Sequence, residues 1–315
     1  MKAYIVDADY VNIEEKTQIQ LFGRLENGQS FVSLQNIKPY FFIRKKDEKK
    51  AEKLLKDFLA EDTDFTNFKF EKVIKISAKN QTELNKLPSQ LHDLEIDTYE
   101  ADIKPVQRFL MDNSILSCIE IEGEHESYEL VDRIYKNPSI KPTEFKPKLK
   151  IISIDIESDK SLNTLFCIGM YSENYQKNFI VSSEKIENAI SCKSEQECLE
   201  KFKSELLKQD PDIITGWNMI DFDLVYLKSL FNKHKIPFNI GRTNAEASLR
   251  IESNFFRSST ANVPGRQVLD ALNLIRDPFI QEAPSIKKAE FDSYTLEDVA
   301  QSILKTGKLL KGKGR

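Results

Sequence analysis

The sequence predicts an α/β protein of two domains, an α+β N-terminal domain over residues 1–143 and an α/β domain over residues 144–315. Three observations carry this. The length of 315 residues is about twice the usual domain size. Short strand-like runs alternate with helix-like ones rather than forming long helical periods. Residues 136–150 hold Pro138, Pro142, Pro147 and five lysines with little periodicity, the character of a connector.

In the first domain, residues 18–22 and 30–34 read as strands around Glu26-Asn27-Gly28, a strong hairpin signal. Residues 38–43 read as a strand. Residues 47–61 read as a helix with Leu54, Leu55 and Phe58 on one stripe, and 68–76 as a strand. A helix over 82–93 and a strand over 96–101 complete a β-α-β-α-β order, which suits a small sheet with helices on one face. The run Tyr40-Phe41-Phe42 suits a buried strand, with base stacking as the alternative.

The second domain reads as strands over 149–156, 164–171 and 178–181, a helix over 195–208, a strand over 212–215 and a helix over 223–235. Residues 305–315 hold five basic side chains and no acid, a tail able to grip phosphates or simply to fray.

Composition excludes several classes. With 40% hydrophobic and 30% charged residues, 10 Gly and 11 Pro, the chain is neither disordered nor collagen-like. Apolar runs such as 40–43 and 166–171 fall far short of the roughly 18 residues of a membrane span. Asp7 and Asp9 interrupt what would be a secretory signal, so a cytoplasmic location is expected. Four Cys without CxxC spacing and three scattered His give neither a disulfide framework nor a zinc pattern. A net charge of −4 is silent on partners.

In the strand 151–159 the period of two places Asp155 and Glu157 on one face and Ile154 and Ile156 on the other. Carboxylates so close repel unless a cation or a shared proton compensates, and oxygen ligands suit Mg²⁺ or Mn²⁺. An exposed edge strand would also account for the pair, and Glu120-Ile121-Glu122 shows how readily such pairs arise. Some sixty residues later, 210–223 runs from a strand through a turn into a helix. Asp221 or Asp223 there could cap the helix, or Asp223 could turn back toward the strand ends, where α/β sheets place their sites.

IDIES at 154–158, DPDIITGWNMIDFDLVYL at 210–227, YEADIKPVQRFLMD at 99–112, Gly241-Arg242 and YTLEDVAQSIL at 294–304 resemble, in order and spacing, the N-terminal and 3′→5′ exonuclease regions of family B DNA polymerases. Archaeal replicative polymerases and bacterial polymerase II look most similar. The resemblance covers essentially the whole chain. It implies a ribonuclease H-like domain with a mixed sheet, and proofreading of single-stranded DNA 3′ ends by two-metal hydrolysis.

By that resemblance Asp155, Glu157 and Asp223 are catalytic and bind Mg²⁺ or Mn²⁺, while Asn218 and Phe222 contact the DNA 3′ end. Ser158 stands where relatives commonly have Thr. Tyr294 and Asp298 satisfy Tyr-x-x-x-Asp literally, yet YTLEDVA resembles a segment preceding the family's third motif. Asp298 is therefore expected to be structural, in a capping box with Ser293 and Glu297.

The chain is thus expected to stop before the third motif and the polymerase domains, and to be weak or inactive alone. Expected partners are DNA, the remainder of the polymerase chain and a sliding clamp. Archaeal relatives capture template uracil in the N-terminal domain, and Tyr10, Pro39 and Arg108 sit at matching positions, whereas Thr82 and Lys86 depart from the pattern. Two alternatives stay open: a self-sufficient exonuclease drawing its missing ligand from Asp298 or Asp270, and a non-catalytic nucleic-acid-binding module.

Overall fold

The computed structural model describes residues 1–159, 161–162, 164–252, 258–286 and 289–307. The chain forms two compact units, Met1–Lys148 and Leu149–Arg315. Both mix strands and helices, the α/β class the sequence predicts. Among the described residues no helix is long and apolar enough to cross a membrane. The basic tail from residue 308 onward lies outside the described residues.

The first unit holds two sheets. The larger has seven strands in the order Ser139–Pro142, Cys118–Glu122, Lys2–Ile13, Lys16–Leu25, Ser30–Ile37, Val131–Lys136, His125–Tyr128. Its hairpin between Lys16–Leu25 and Ser30–Ile37 is the predicted one, and Gly28 at φ +85 supplies the left-handed residue of the turn. The smaller sheet runs Leu59–Thr66, Lys72–Ser77, Tyr40–Arg44, Thr98–Tyr99. Phe41, Ile43, Ile74 and Ile76 alternate onto one face and meet Leu55, Leu84, Leu87 and Leu91 in a buried core.

The helix expected over 47–61 is present only as a single turn, Glu48–Ala51. Leu55 still packs into the core, so the apolar stripe faces as predicted. Residues 59–66 instead form an edge strand, because they pair with Lys72–Ser77 through a tight turn closed by Asn67. The helix over 82–93 divides into Gln81–Leu84, capped by Asn80, and Leu87–Asp93, which carries Pro88 in its first turn.

The second unit is built on one mixed sheet of six strands: Ile190–Cys192, Tyr175–Val181, Leu165–Ser172, Ile151–Ser158, Ile213–Gly216, Gln267–Asp270. Ile151–Ser158 lies antiparallel to Leu165–Ser172 and parallel to Ile213–Gly216. Helices Glu195–Gln209 and Asp223–Lys233 contribute Phe202, Leu206, Leu227 and Phe231 to a core shared with Ile152, Ile154 and Ile156. Both helices and four of the strands fall where the sequence places them, within about three residues at each end.

Candidate active site

The strand Ile151–Ser158 alternates as its sequence demands, with Ile152, Ile154 and Ile156 buried and Asp155 and Glu157 exposed on the opposite face. Its antiparallel neighbour places Cys167 opposite Glu157, and burial together with the charges of Glu157 and Asp155 pushes that thiol's pKa up.

Asp223 begins the helix Asp223–Lys233, and its carboxylate is almost fully buried. It does not cap its own helix. The N-cap residue is Phe222, and Asp223 Oδ1 instead accepts the Ile156 backbone N–H at 3.0 Å. One hydrogen bond therefore fixes the helix-start acid to the strand that carries the other two. Burial first, and the Asp155 charge second, push the Asp223 carboxyl pKa up to about 7, against the pull of the Ile156 N–H.

The turn that delivers Asp223 is tightly specified. A Cβ on Gly216 would sit 2.6 Å from Ile154 O, so only glycine lets the turn lie against the carboxylate strand. Asn218 adopts φ +56, a conformation Asn tolerates better than most residues. Asp270 ends the adjoining strand and accepts N–H bonds from Asn218 (3.1 Å), Ile220 (3.0 Å) and Leu272 (2.9 Å). Its buried carboxylate ties the turn to the next helix, a role the sequence signals only through its place at a strand end.

A second buried network lies beneath this turn. Arg242 is fully buried and pairs with Asp210 and Asp212, both at 2.8 Å. Asp212 also accepts the Lys150 N–H, just before the carboxylate strand. Arg266 joins Asp210 at 2.8 Å, and burial plus the neighbouring Arg242 lower its pKa to about 10. DPD and Gly241-Arg242 are legible as motifs, but their pairing is not.

The donors at the site are hard oxygens, the chemistry Mg²⁺ and Mn²⁺ take. Asp155 and Asp223 are close enough for one charge to oppose the other, which a cation would relieve. Yet among the described residues no three His, Cys, Asp or Glu side chains converge closely enough to hold a metal ion by themselves. The fit thus rests on Asp155 and Asp223, with Glu157 projecting from the same strand face.

Of the remaining predicted residues, Asn218 is half-buried and Phe222 exposed in the turn leading to Asp223. Asp298 lies in the first turn of the helix Leu296–Leu304, whose cap residue is Thr295 rather than Ser293. Thr295 Oγ1 accepts the Asp298 N–H, and the Thr295 and Ser293 hydroxyls donate to its carboxylate. In the first unit Tyr10 packs against the core of the seven-stranded sheet. Pro39 is buried beside Tyr40, and Arg108 stands 4.7 Å from the Tyr40 ring centroid.

Fold and site together define a class: an α/β domain whose mixed sheet presents acids on an inner strand and at the start of a helix hydrogen-bonded to it. The family model for DNA polymerase family B, exonuclease domain, matches residues 96–299, and the chain belongs to that family. DNA polymerase II of Escherichia coli (strain K12) is 26% identical over 97% of this chain and 38% of its own length. The DNA polymerase of Methanocaldococcus jannaschii is 25% identical over 97% of this chain and 18% of its own. The family B DNA polymerase of Pyrobaculum calidifontis shares the fold at a TM-score of 0.71 and 21% identity, over 96% of this chain and 39% of that one. The chain therefore spans well under half of each of these relatives.

Proposed function

We propose that this chain is the N-terminal and proofreading region of a DNA-directed DNA polymerase, binding single-stranded 3′ ends and hydrolysing them in the cytoplasm, at the nucleoid. The observation that carries this is the Ile156 N–H bond to Asp223, which brings the helix-start acid onto the Asp155 and Glu157 strand.

In this reading Asp155, Glu157 and Asp223 would hold Mg²⁺ or Mn²⁺. Bound there, two such ions supply a hydroxide nucleophile and charge for the leaving 3′ oxygen. The protein's own part is to hold the acids and to orient the strand. Burial of Asp223 keeps it fixed, and the Gly216 turn sets where Asn218 and Phe222 meet DNA. A mismatched terminus unpairs at lower cost than a paired one, so a site for single strands selects errors. The rest of a polymerase chain and a sliding clamp are the proposed partners.

A 5′-labelled single strand incubated with Mn²⁺ tests this: shortening from the 3′ end that Asp155→Ala abolishes is expected, and shortening that survives the substitution overturns it. A second reading, a nucleic-acid-binding module without catalysis, is favoured by the absence of a third converging ligand among the described residues. The self-sufficient exonuclease is disfavoured because the Asp270 carboxylate is engaged by three backbone N–H groups and the Asp298 carboxylate by the Ser293 and Thr295 hydroxyls. Uracil capture by Tyr10, Pro39 and Arg108 is proposed from their matching positions alone, and equal affinity for uracil-containing and normal strands would end it.

A further inference from the structure

We infer that Asn178 is a positioning residue of the candidate active site, holding the water shell of the cation at Asp155 from the far side of Gly169. The inference rests on the reading of Asp155 as a metal ligand, and it adds a residue that no motif of the sequence marks.

The register of three neighbouring strands carries it. Asp155 of Ile151–Ser158 pairs with Gly169 of Leu165–Ser172, and Gly169 pairs with Asn178 of Tyr175–Val181. Residues paired across antiparallel strands project to the same face, so Asp155, Gly169 and Asn178 form one row across the sheet. Their chain neighbours Ile154, Ile168 and Phe179 point the other way, into the core. The row therefore lies on the open face, the one that carries the acids.

Gly169 leaves the middle of that row without a side chain. Adjacent strands lie about 4.8 Å apart, so Asp155 and Asn178 flank a gap two strand spacings wide. Asn178 leans into this gap, with its Oδ1 only 3.3 Å from where a Cβ on Gly169 would stand. Any larger residue in the middle position would press the amide aside. Among the described residues the half-buried Asn178 carboxamide has no hydrogen-bond partner of its own.

Chemistry selects the occupant. The oxygen that Asn178 holds over Gly169 is an acceptor, and the Asp155 carboxylate on the other flank is a second. Two acceptors on facing walls call for a group that brings donors and positive charge. A phosphate brings neither. Hydrated Mg²⁺ or Mn²⁺ brings both, because such ions keep several waters and each water can donate. A carboxylate on one wall with a water-mediated amide on the other is the arrangement by which outer partners orient a metal site.

The test is titration of the whole chain with Mn²⁺, free ion being read by electron paramagnetic resonance with no nucleic acid present. Asn178→Ala should weaken binding about tenfold, whereas Asn178→Asp, which keeps an oxygen in place, should bind at least as tightly as the parent. Gly169→Ala should weaken binding as Asn178→Ala does, since its methyl group crowds the amide. Melting temperatures in EDTA should be unchanged for Asn178→Ala, which breaks no bond within the described residues. Unchanged affinity in Asn178→Ala, in a series where Asp155→Ala loses binding, overturns the inference and leaves the metal site standing. Equal losses in Asn178→Ala and Asn178→Asp overturn it too, since a packing role would produce them. Full affinity in Asp155→Ala removes the metal from Asp155, and the inference falls with that reading.

Discussion

The Ile156 N–H and the Asp223 carboxylate, 67 residues apart in sequence, meet at 3.0 Å. This bond decides where the helix Asp223–Lys233 begins relative to the acidic strand. It also places a buried carboxylate against the like charge of Asp155.

The first prediction concerns pH. Asp223 has a folded pKa of about 7 against an ordinary 3.8, because burial and Asp155 oppose its charge. The folded state therefore holds an extra proton between about pH 4 and pH 7. Stability should fall as pH rises through that window and stay lower above it. Asp223→Asn should flatten this part of the profile and raise the melting temperature at pH 8 in EDTA. Parallel profiles for the two proteins would contradict the assignment.

The second concerns the strand acids. Glu157 is exposed, so Glu157→Ala should leave the melting temperature within about a degree, and Asp155→Ala, which removes a charge that opposes Asp223, should not lower it. The same variants should lose the stabilisation that Mn²⁺ confers on the parent chain. Thermal scans with and without Mn²⁺ read both effects, and undiminished Mn²⁺ stabilisation would remove these residues from the site.

A third prediction follows from the buried network. Arg242→Ala strands Asp212 without its guanidinium partner, and should destabilise the fold by about 3–5 kcal/mol. Urea denaturation measures this, and a loss under 1 kcal/mol would show the network to be incidental.

Asp270 supports a fourth. Asp270→Ala removes the acceptor of three backbone N–H groups and should cost about 2–4 kcal/mol, with faster amide exchange at Asn218 and Ile220. Exchange rates unchanged at both positions would refute its role in holding the turn.

How much of this could be read from residues follows from where each signal lives. Ile152, Ile154 and Ile156 alternate with acids, so the strand and its two faces were legible, as were both helices packed on the sheet. The edge strand Leu59–Thr66 was not: nearly all its residues are exposed, and its pairing comes from the turn at Asn67 rather than from any apolar period. Leu54, Leu55 and Phe58 imitated a helix because they do face the core, along an irregular path. Asp155, Glu157 and Asp223 could be named in advance, but the bond of Asp223 to the acidic strand depends on Gly216 lying against Ile154, a contact between distant segments. The Arg242 pairings were hidden for the same reason.

Anomalous scattering from crystals soaked in Mn²⁺ tests the central claim most directly. A peak within coordination distance of both Asp155 and Asp223 is the predicted result. Strong occupancy elsewhere, with none between those two carboxylates, would contradict it.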